Sequence, residues 1–351
     1  MLKFPTDVLK EWFVANKRVL PWRESPNPYR VWVSEVMLQQ TQVAVVVPYF
    51  ERWMEAFPTV QALGEASLEK VLKCWEGLGY YSRARNLHQA AKKIIECFGG
   101  DLPCSAEALA EIPGIGPYTR GAILSFAFKQ KAAAVDGNVL RVLSRFLACD
   151  EEIDLPHVKK RLQAYAEEML PEKEPWLVSE GLIELGALIC SKKAKCGDCP
   201  LKSECGAYRN QLQDILPKKR ARPPCIELMR QVAVIQCGER YAVQKGSAGK
   251  LMADLYEFLF IEHQQTQDQI KDTVSLLTQQ FERAWGMSLS YQKALPIQRH
   301  SFTRYRAHLF PHLLQTSVPV EKYLWKTRGE LKQLPFSSGH KRILDYFADN
   351  L

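Results

Sequence analysis

The chain has 351 residues, of which 46% are hydrophobic and 25% charged, and this composition excludes a disordered or fibrous protein. Its formal net charge of +8 is compatible with nucleic acid as a partner but does not establish one. No apolar run approaches the roughly 20 residues that span a bilayer, and the first segment lacks a signal-peptide pattern, so we expect a cytosolic protein without membrane contact.

The chain from its start to about residue 208 has the pattern of helices. Apolar residues recur at three- and four-residue spacing in "SLEKVLKCWEGLG" and "SRARNLHQAAKKIIECFGG", which both stop at glycine. The segments "HVKKRLQAYAEEMLP" and "WLVSEGLIELGALIC" behave in the same way. Residues 209–228 mix proline with basic residues, as connectors between domains do. We therefore predict a mainly α domain over residues 1–208 and a second domain over residues 229–351.

The second domain has a different pattern. "RQVAVIQCGERYAVQK" contains two alternating apolar runs around a glycine, which predicts a β-hairpin. "LYEFLFIE" and "SFTRYRAHLFPHLL" predict further strands, whereas "DQIKDTVSLLTQQFERAWG" and "SGHKRILDYFA" predict helices. This mixture predicts an α+β fold.

The segment "LAEIPGIGPYTRGAILSFAF" predicts two helices joined by a tight turn. One helix ends at Ile112 and the next begins near Tyr118, with Gly114 and Gly116 between them. Glycines allow backbone conformations that other residues avoid, and they permit a close approach by a ligand. The free N–H groups of the second helix would then point at an anion such as a DNA phosphate. An ordinary structural turn explains this short pattern almost as well.

Two carboxyl groups occupy unusual sequence contexts. Glu35 lies in "WVSEVMLQQTQ", where neighbours such as Trp32 and Val36 would favour its neutral form and raise its pKa. Asp136, in "AAAVDGNVLRVLSR", follows an apolar segment and precedes a helix, so we expect it to cap that helix as an ionised group. Taken alone, a solvent-facing glutamate and a plain helix cap are the simpler interpretations.

With "LPWR", "SEVMLQQTQV", "GLGYYSRARNL" and a cluster of cysteines, these features resemble the helix–hairpin–helix glycosylases, and the MutY-type adenine DNA glycosylases in particular. The resemblance is dense over residues 4 to about 206. It implies a bacterial, monomeric repair enzyme that removes adenine opposite 8-oxoguanine or guanine from double-stranded DNA. Glu35 would protonate the adenine, Asp136 would stabilise the cationic sugar, and Asn138 would position the sugar or water.

The residue after the glycine turn decides between two reaction types within this superfamily. Relatives of endonuclease III type carry a lysine there, which attacks the sugar and later nicks the strand. This chain has Tyr118, and a phenol forms no Schiff base, so the resemblance implies a monofunctional glycosylase. An oxidised-pyrimidine glycosylase/lyase and a non-catalytic iron–sulfur DNA-binding protein are the alternative functions. Glu180 and Arg18 are expected to hold a water in the pocket, although surface charges would explain both.

A buried base must be flipped out of the duplex before it reacts, so the resemblance also implies residues that fill the gap and hold the backbone. Gln40 and Thr41 would insert at the lesion pair, Tyr80 would intercalate, and Leu38 would contact the minor groove. The predicted DNA-binding residues are Arg23, Leu38, Gln40, Thr41, Tyr80, Arg83, Arg85, Gly114 and Gly116.

Four cysteines lie within "CSKKAKCGDCPLKSEC", at positions Cys190, Cys196, Cys199 and Cys205. Such clustering strongly indicates metal binding, and one Cys-x-x-Cys pair with two outliers differs from the paired knuckles usual in zinc sites. It resembles the 4Fe–4S loop of the glycosylases, in which four thiolates hold the cluster. The first spacer has five residues where the family usually has six, which leaves the identity of the metal open.

The second domain resembles the Nudix-type domain that recognises 8-oxoguanine in MutY-type proteins. No Nudix hydrolase signature occurs in it, so we expect no nucleotide hydrolysis. The family's recognition loop reads Phe-Ser-His, whereas this chain has Phe302, Thr303 and Arg304. Thr303 retains the hydroxyl group for a hydrogen bond. Arg304 puts a cation in place of histidine, so we expect the preference for the lesion to differ from that of the family.

Overall fold

The computed structural model describes residues 3–221, 223–247, 249, 252–263 and 274–350. Residues 348–350 are described by their backbone alone. The chain divides into two compact units. The first unit is formed by Met1–Glu65 and Asn86–Ala221, and the second by Ala66–Arg85 and Arg222–Leu351. A segment from the middle of the helical part therefore belongs with the C-terminal residues.

Helices account for the ordered elements up to residue 209. The structure has α1 Thr6–Asn16, α2 Pro21–Glu24, α3 Pro28–Leu38, α4 Val43–Ala56, α5 Val60–Glu65, α6 Leu68–Trp75, α7 Ser82–Phe98, α8 Ala106–Ala110, α9 Pro117–Ala122, α10 Gly137–Phe146, α11 Pro156–Glu168, α12 Pro175–Leu188 and α13 Gly206–Arg209. A π-helical turn, Ile123–Ala127, follows α9, and a 3-10 turn spans Cys196–Asp198. No helix in the described part of the chain is long and apolar enough to cross a membrane.

Helix α10 shows why the first unit packs as it does. Its residues Val139, Val142, Leu143 and Phe146 recur at three- and four-residue spacing, and all four are buried. This stripe joins the apolar face of α12, including Leu182, in one core cluster. The packing fixes the start of α10, where Asp136 lies.

The second unit is built on a sheet with β1 Ile226–Cys237, β2 Arg240–Lys245, β3 Tyr256–Glu257, β4 Leu259–His263, β5 Ser290–Ala294, β6 Gln298–Phe302, β7 Tyr305–Gln315 and β8 Leu324–Thr327. The strand order is β3-β2-β1-β7-β5; β4 also pairs with β1, β6 with β7 and β8 with β2. Strands β1 and β7 are parallel, from the pair Ile226–Tyr305 to the pair Gln236–Gln315. The helices of this unit are α14 Val274–Trp285, α15 Arg328–Gln333 and α16 Ser338–Asn350.

The predicted elements of the second domain are present where the structure describes them. The hairpin is formed by β1 and β2, with Gln236 opposite Tyr241. Helix α14 begins at Val274, and the earlier part of its predicted segment lies outside the described residues. A helical first part followed by an α+β second part confirms the predicted fold class.

The two glycines of the helix–hairpin–helix turn differ in what they require. Gly114 has a φ of +80°, and a Cβ there would lie 2.7 Å from Cβ of Asn86. Gly116 has a φ of −81° and caps α9, and a Cβ there would meet no atom within 4 Å. Of these two glycines, Gly114 uses a backbone conformation that other residues avoid, whereas Gly116 has ordinary extended backbone.

We predict that Gly114→Ala lowers the free energy of unfolding by about 1–2 kcal/mol, since alanine is strained at positive φ. Gly116→Ala is the matched control and should lose less, because its φ suits any residue and the site has room. Urea denaturation of the two variants beside the unmodified chain measures this difference. Equal losses would show that backbone strain does not distinguish the two positions.

Candidate active site

A cavity of about 1030 Å³ lies in the first unit. Its walls include Glu35, Tyr118, Asp136 and Asn138, four side chains to which the sequence assigns catalytic roles. This volume is at the upper end of that found for ligand pockets. The two predicted carboxyl groups therefore open into the same space.

Glu35 lies on α3, a helix that is buried on nearly all sides. Every residue from Tyr29 to Met37 other than Arg30 is buried, so Glu35 has no exposed face to which it could turn, and it is 6% exposed. Burial raises its pKa to about 7, although the hydroxyl of Tyr118, which donates a hydrogen bond to its Oε2, opposes the shift. The direction agrees with the sequence-based expectation.

Charged neighbours adjust this pKa further. Glu180 and Asp136 raise it, because a second negative charge disfavours ionisation, and Arg23 lowers it. Burial and the proximity of Glu35 raise the pKa of Tyr118 well above its ordinary value. Tyr118 is therefore a neutral donor at every pH where the site would work.

Asp136 caps α10 with both of its carboxylate oxygens. Its Oδ1 accepts from the backbone N–H groups of Asn138 (2.9 Å) and Val139 (2.8 Å), and its Oδ2 accepts from Asn138 Nδ2 (2.7 Å). The amide oxygen of Asn138 in turn accepts from Arg141 Nη2 at 2.8 Å. Burial raises the pKa of Asp136, while these hydrogen bonds lower it. The net direction is upward, opposite to what a helix N-terminus alone would produce.

One wall of the cavity is a network of arginines and glutamates. Arg18 Nε lies 2.7 Å from Glu184 Oε1, and Arg23 bonds both Glu184 Oε2 and Glu180 Oε2 at 3.1 Å. Arg23 Nη1 also donates to the carbonyl of Arg18. The Arg23 guanidinium is bonded within this wall, and its predicted contact with DNA stays a prediction.

Glu184 was not among the residues predicted from the sequence. It is 1% exposed, yet the arginines outweigh the effect of burial and lower its pKa to about 2. A signal was available, since Glu184 follows Glu180 by four residues and so shares its helix face. Arg18, which was expected to hold a pocket water together with Glu180, pairs with Glu184.

Lys129 and Trp176 also line the cavity without any sequence signal. The ammonium group of Lys129 lies over the Trp176 ring at 5.2 Å, and its backbone has a φ of 58°. Burial lowers the pKa of Lys129, while Glu180 opposes this shift. An amine of reduced basicity thus lies in the same cavity as the two predicted catalytic carboxyl groups.

The residues after α3 form the edge of the cavity. Leu38, Gln40 and Thr41 all line it, as does Gln39, whose Nε2 donates to Thr119 Oγ1 at 3.3 Å. Gln40 is exposed and has a φ of 58°, while the Thr41 N–H donates to the Leu38 carbonyl at 3.2 Å. This turn holds an amide side chain at the surface beside the cavity.

Tyr80, Arg83 and Arg85 belong to the second unit. Tyr80 is 45% exposed, as an intercalating ring requires. Arg83 is 7% exposed, and its Nη2 donates to the carbonyls of Leu78 and Gly79 at 3.2 Å. The guanidinium is buried under the turn, and the predicted phosphate contact of Arg83 stays a prediction.

Arg85 has a similar internal attachment. Its Nη1 donates to the Ala253 carbonyl at 2.8 Å and lies 3.9 Å from Asp254 Oδ2. Ala253 lies 168 residues further along the chain, so the local sequence contains no sign of this attachment. The phosphate contact predicted for Arg85 stays a prediction.

The four predicted metal-binding cysteines, Cys190, Cys196, Cys199 and Cys205, line one small cavity. Burial raises the pKa of the last three, and the proximity of Cys190 adds to each shift. Within the described residues, no three histidine, cysteine, aspartate or glutamate side chains come close enough to hold a single metal ion. The short first spacer nevertheless brings all four thiols to a common space.

Arg145 holds the cysteine loop in place. Its buried guanidinium donates to the carbonyl of Ser191 (2.6 Å) and the carbonyl of Lys192 (3.2 Å), and it lies 3.4 Å from the sulfur of Cys190. The four cysteines of the loop fit an iron–sulfur cluster, which takes one thiolate at each of four irons.

Phe302 and Thr303 lie at the tip of the β6–β7 hairpin. Thr303 is exposed with a φ of 50°, and the neighbouring Arg304 is also exposed. Phe302 is half-buried, 5.2 Å from the His300 ring and 5.9 Å from the guanidinium of Arg230. The hairpin tip thus exposes a hydroxyl group and a cation beside a half-buried phenyl ring.

A helical unit with a helix–hairpin–helix turn and two carboxyl groups in one cavity defines the class of base-excision repair proteins. The family model of the HhH-GPD superfamily base excision DNA repair protein matches residues 33–168, and that of the NUDIX domain matches residues 231–346. The adenine DNA glycosylase of Buchnera aphidicola subsp. Schizaphis graminum is 33% identical over 72% of this chain and 74% of its own length. The chain belongs to the adenine DNA glycosylase family.

The match to a mammalian relative covers less of that protein's length. The adenine DNA glycosylase of Mus musculus is 44% identical over 61% of this chain, and the match spans 44% of the mouse protein. Among solved structures, a thermostable thymine-DNA glycosylase is 26% identical with a TM-score of 0.54, covering 58% of this chain and 95% of its own. The predicted family and the Nudix-like nature of the second domain are confirmed.

We predict that Glu35→Gln raises the stability of the protein by about 1–3 kcal/mol at about pH 8. The folded pKa of about 7 exceeds the ordinary value of 4.5, so stability falls as the pH rises from 4.5 to 7, and the loss is complete above it. Glutamine retains an oxygen that accepts from Tyr118 but has no charge to bury. Urea denaturation at about pH 4.5 and about pH 8 measures the change.

Glu184→Gln is the matched control, because its pKa is shifted in the other direction. Its folded pKa of about 2 lies below the ordinary value of 4.5, so its contribution is present above pH 4.5 and is lost as the pH falls towards 2. The variant should lose about 3–5 kcal/mol at neutral pH, since Arg18 is left without its carboxylate partner and Arg23 keeps only Glu180. A Glu35→Gln protein less stable than the unmodified chain at about pH 8 would contradict the effect of burial.

Proposed function

We propose that this chain is a monofunctional adenine DNA glycosylase that excises adenine paired with 8-oxoguanine or guanine in double-stranded DNA. The observation that carries the proposal is the shared cavity of Glu35 and Asp136, in which one carboxyl group is neutral up to about pH 7 and the other is held by three hydrogen bonds. Cleavage of an N-glycosidic bond needs an acid for the base and an anion for the sugar.

Glu35 is the proposed acid. Tyr118 donates to Oε2, so the proton of the neutral acid resides on the other oxygen, Oε1. A group with a pKa near 7 is protonated in a useful fraction of molecules and still gives up its proton readily. Protonation at N7 of adenine makes the purine a better leaving group, and this step needs Glu35 in its neutral form.

Asp136 is the proposed anion beneath the sugar. Its hydrogen bonds with Asn138 and Val139 fix the carboxylate at the start of α10, so the charge is oriented before the sugar becomes cationic. Arg141 opposes the upward shift that burial causes in the pKa of Asp136, and it holds the amide of Asn138. A fixed anion stabilises an oxocarbenium ion without reorganising during the reaction. Asn138 is a positioning residue in this proposal.

The rival function is that of a glycosylase/lyase. Tyr118 opposes it, because a phenol forms no Schiff base with the opened sugar. Lys129 is the observation in its favour, since it is an amine in the same cavity with a lowered pKa. Its position over the Trp176 ring stabilises the charged, non-nucleophilic form, and this favours the monofunctional reaction.

Handling of the duplex is proposed for three surface features. Gln40 and Thr41 border the cavity and would replace the extruded base in the stack, while the exposed ring of Tyr80 would intercalate. In the second domain, Thr303 at the hairpin tip would accept or donate a hydrogen bond to the oxidised guanine. The adjacent Arg304 would add attraction for the DNA backbone, which weakens discrimination between 8-oxoguanine and guanine.

An iron–sulfur cluster is the proposed cofactor, held by Cys190, Cys196, Cys199 and Cys205. Their common cavity and the cation of Arg145 support it. When bound, the cluster would supply a covalent tie across the loop. Arg141 Nε donates to the carbonyl of Cys190 at 2.7 Å and its Nη2 holds Asn138, so the loop and the predicted catalytic turn share one anchor.

The function is tested with a duplex that contains adenine opposite 8-oxoguanine or guanine. We expect base loss that becomes strand cleavage only after alkali, and no covalent adduct on borohydride reduction. Glu35→Gln should lower the rate of excision by at least about 10²-fold, since a general acid contributes this much. The rate of the unmodified enzyme should fall as the pH rises through about 7, because the acid then loses its proton.

Two matched controls sharpen this assay. Glu51→Gln removes an exposed glutamate of α4 and should leave excision unchanged. If Lys129 is a nucleophile, the unmodified chain should form a borohydride adduct that Lys129→Met does not form. If it is not, neither protein should form one. Nicking without alkali would favour the lyase, and DNA binding without base loss would favour a non-catalytic protein.

We predict that Cys205→Ala lowers the bound iron and sulfide of the purified protein and its visible absorption. Cys104→Ala is the matched control, because this exposed cysteine lies outside the loop and should leave all three unchanged. Iron and sulfide are measured per protein chain. Zinc in place of iron would assign the loop to a zinc site, and equal iron in both variants would refute the four-cysteine ligand set.

A further inference from the structure

The turn that carries Tyr80 has few conformational constraints of its own. Gly77 and Gly79 have φ values of 104° and 70°, and Tyr80 has a φ of 47°, which is uncommon for a residue with a side chain. Trp75 Nε1 donates to the Gly79 carbonyl at 3.0 Å, which closes the turn on one side. Holding an exposed ring on such a turn requires support from its surroundings.

That support comes from the backbone of one C-terminal residue, Phe336. The hydroxyl of Tyr81 accepts from the Gly77 N–H at 3.4 Å and donates to the Phe336 carbonyl at 3.3 Å. Glu76 Oε1 accepts from the Phe336 N–H at 2.8 Å. Glu76 and Tyr81, which flank the glycine turn, therefore bond the backbone N–H and carbonyl of Phe336.

Phe336 itself is firmly attached to the sheet. It is fully buried, with its ring 5.5 Å from that of Phe258, and it forms a parallel bridge with Tyr256 of β3. The Tyr256 N–H donates to the Pro335 carbonyl at 2.8 Å, and the Ser337 N–H donates to the Tyr256 carbonyl at 3.2 Å. The position of Phe336 is thus set by the C-terminal sheet.

Further bonds connect the same two parts of the second unit. Lys73 Nζ donates to the Leu334 carbonyl at 3.0 Å and pairs with Glu76 at 2.7 Å, which orients the carboxylate towards Phe336. The Tyr256 hydroxyl donates to Glu69 Oε2 at 2.8 Å. Helix α6 and the turn after it are therefore attached to the C-terminal residues along their length.

We propose that Glu76 and Tyr81 are positioning residues for the opening of the duplex, and that they act by fixing the Tyr80 turn to Phe336. The C-terminal residues thereby set the presentation of the intercalating ring, in addition to any contact of their own with the lesion. This inference rests on the proposed function, in which Tyr80 enters the base stack. A preorganised turn does not lose conformational entropy when it inserts, so duplex opening is faster.

The test uses the full chain with Tyr81→Phe, which removes one hydroxyl and retains the ring. Tyr291→Phe is the matched control, because it removes a hydroxyl of β5 that bonds to His312, also in the second unit. In protein without DNA, amide hydrogen exchange over residues 77–82 should accelerate by about twofold to tenfold in Tyr81→Phe. The control should leave it unchanged. Glu76→Ala should act in the same direction as Tyr81→Phe.

The second readout is the fluorescence of 2-aminopurine placed opposite guanine in a duplex, which rises when the base leaves the stack. Tyr81→Phe and Tyr80→Ala should both slow this rise. The double variant should be no slower than Tyr80→Ala, since the hydroxyl acts through the ring. Tyr291→Phe should open the duplex at the rate of the unmodified protein.

The outcomes are distinguishable. Unchanged exchange in Tyr81→Phe and Glu76→Ala would overturn the attachment, and faster exchange with an unchanged rate of opening would overturn the positioning role. Additive slowing in the double variant would also overturn it, because the two residues would then act separately. An unmodified chain that excises no adenine refutes the proposed function alone, and the exchange measurement still decides whether Phe336 holds the turn.

Discussion

The proposed chemistry depends on one constraint, the burial of a carboxyl group in a helix whose neighbours are apolar on nearly every side. Glu35 lines the cavity but is only 6% exposed, so its charge is penalised and its pKa rises. The hydroxyl of Tyr118 limits the rise, because a hydrogen bond to the anion is stronger than one to the neutral acid. The balance of these two effects leaves a proton that is held and yet transferable near neutral pH.

The arginine–glutamate wall allows this neutral acid to coexist with other carboxyl groups in one cavity. Glu184 is as deeply buried as Glu35, yet its pKa is near 2, because Arg18 and Arg23 both bond to it. Burial alone therefore does not determine the charge of a carboxyl group; its partners do. Because Arg23 also bonds Glu180, the same guanidinium limits the repulsion between Glu180 and Glu35.

Features that depend on local geometry were predictable from the sequence. The cap at Asp136 uses the N–H groups of the residues two and three positions later, Asn138 and Val139. The apolar surroundings of Glu35 follow from the sequence of α3 itself. Interactions over long separations were not predictable. Arg23 meets Glu180 across 157 positions, so the short motif that contains Arg23 holds no sign of this partner. The identity of a glycine likewise does not reveal its φ, which differs between Gly114 and Gly116.

The association of residues 66–85 with the C-terminal unit was hidden for a physical reason. The glycosylase family model spans residues 33–168 and so includes this segment without a break. Its links to Leu334 and Phe336 run from side chains to backbone atoms, which every residue type supplies. Such bonds constrain the sequence on one side only, at Lys73, Glu76 and Tyr81. A side chain that binds a peptide group therefore leaves no complementary residue by which the pair could be recognised, although the geometry of the turn depends on it.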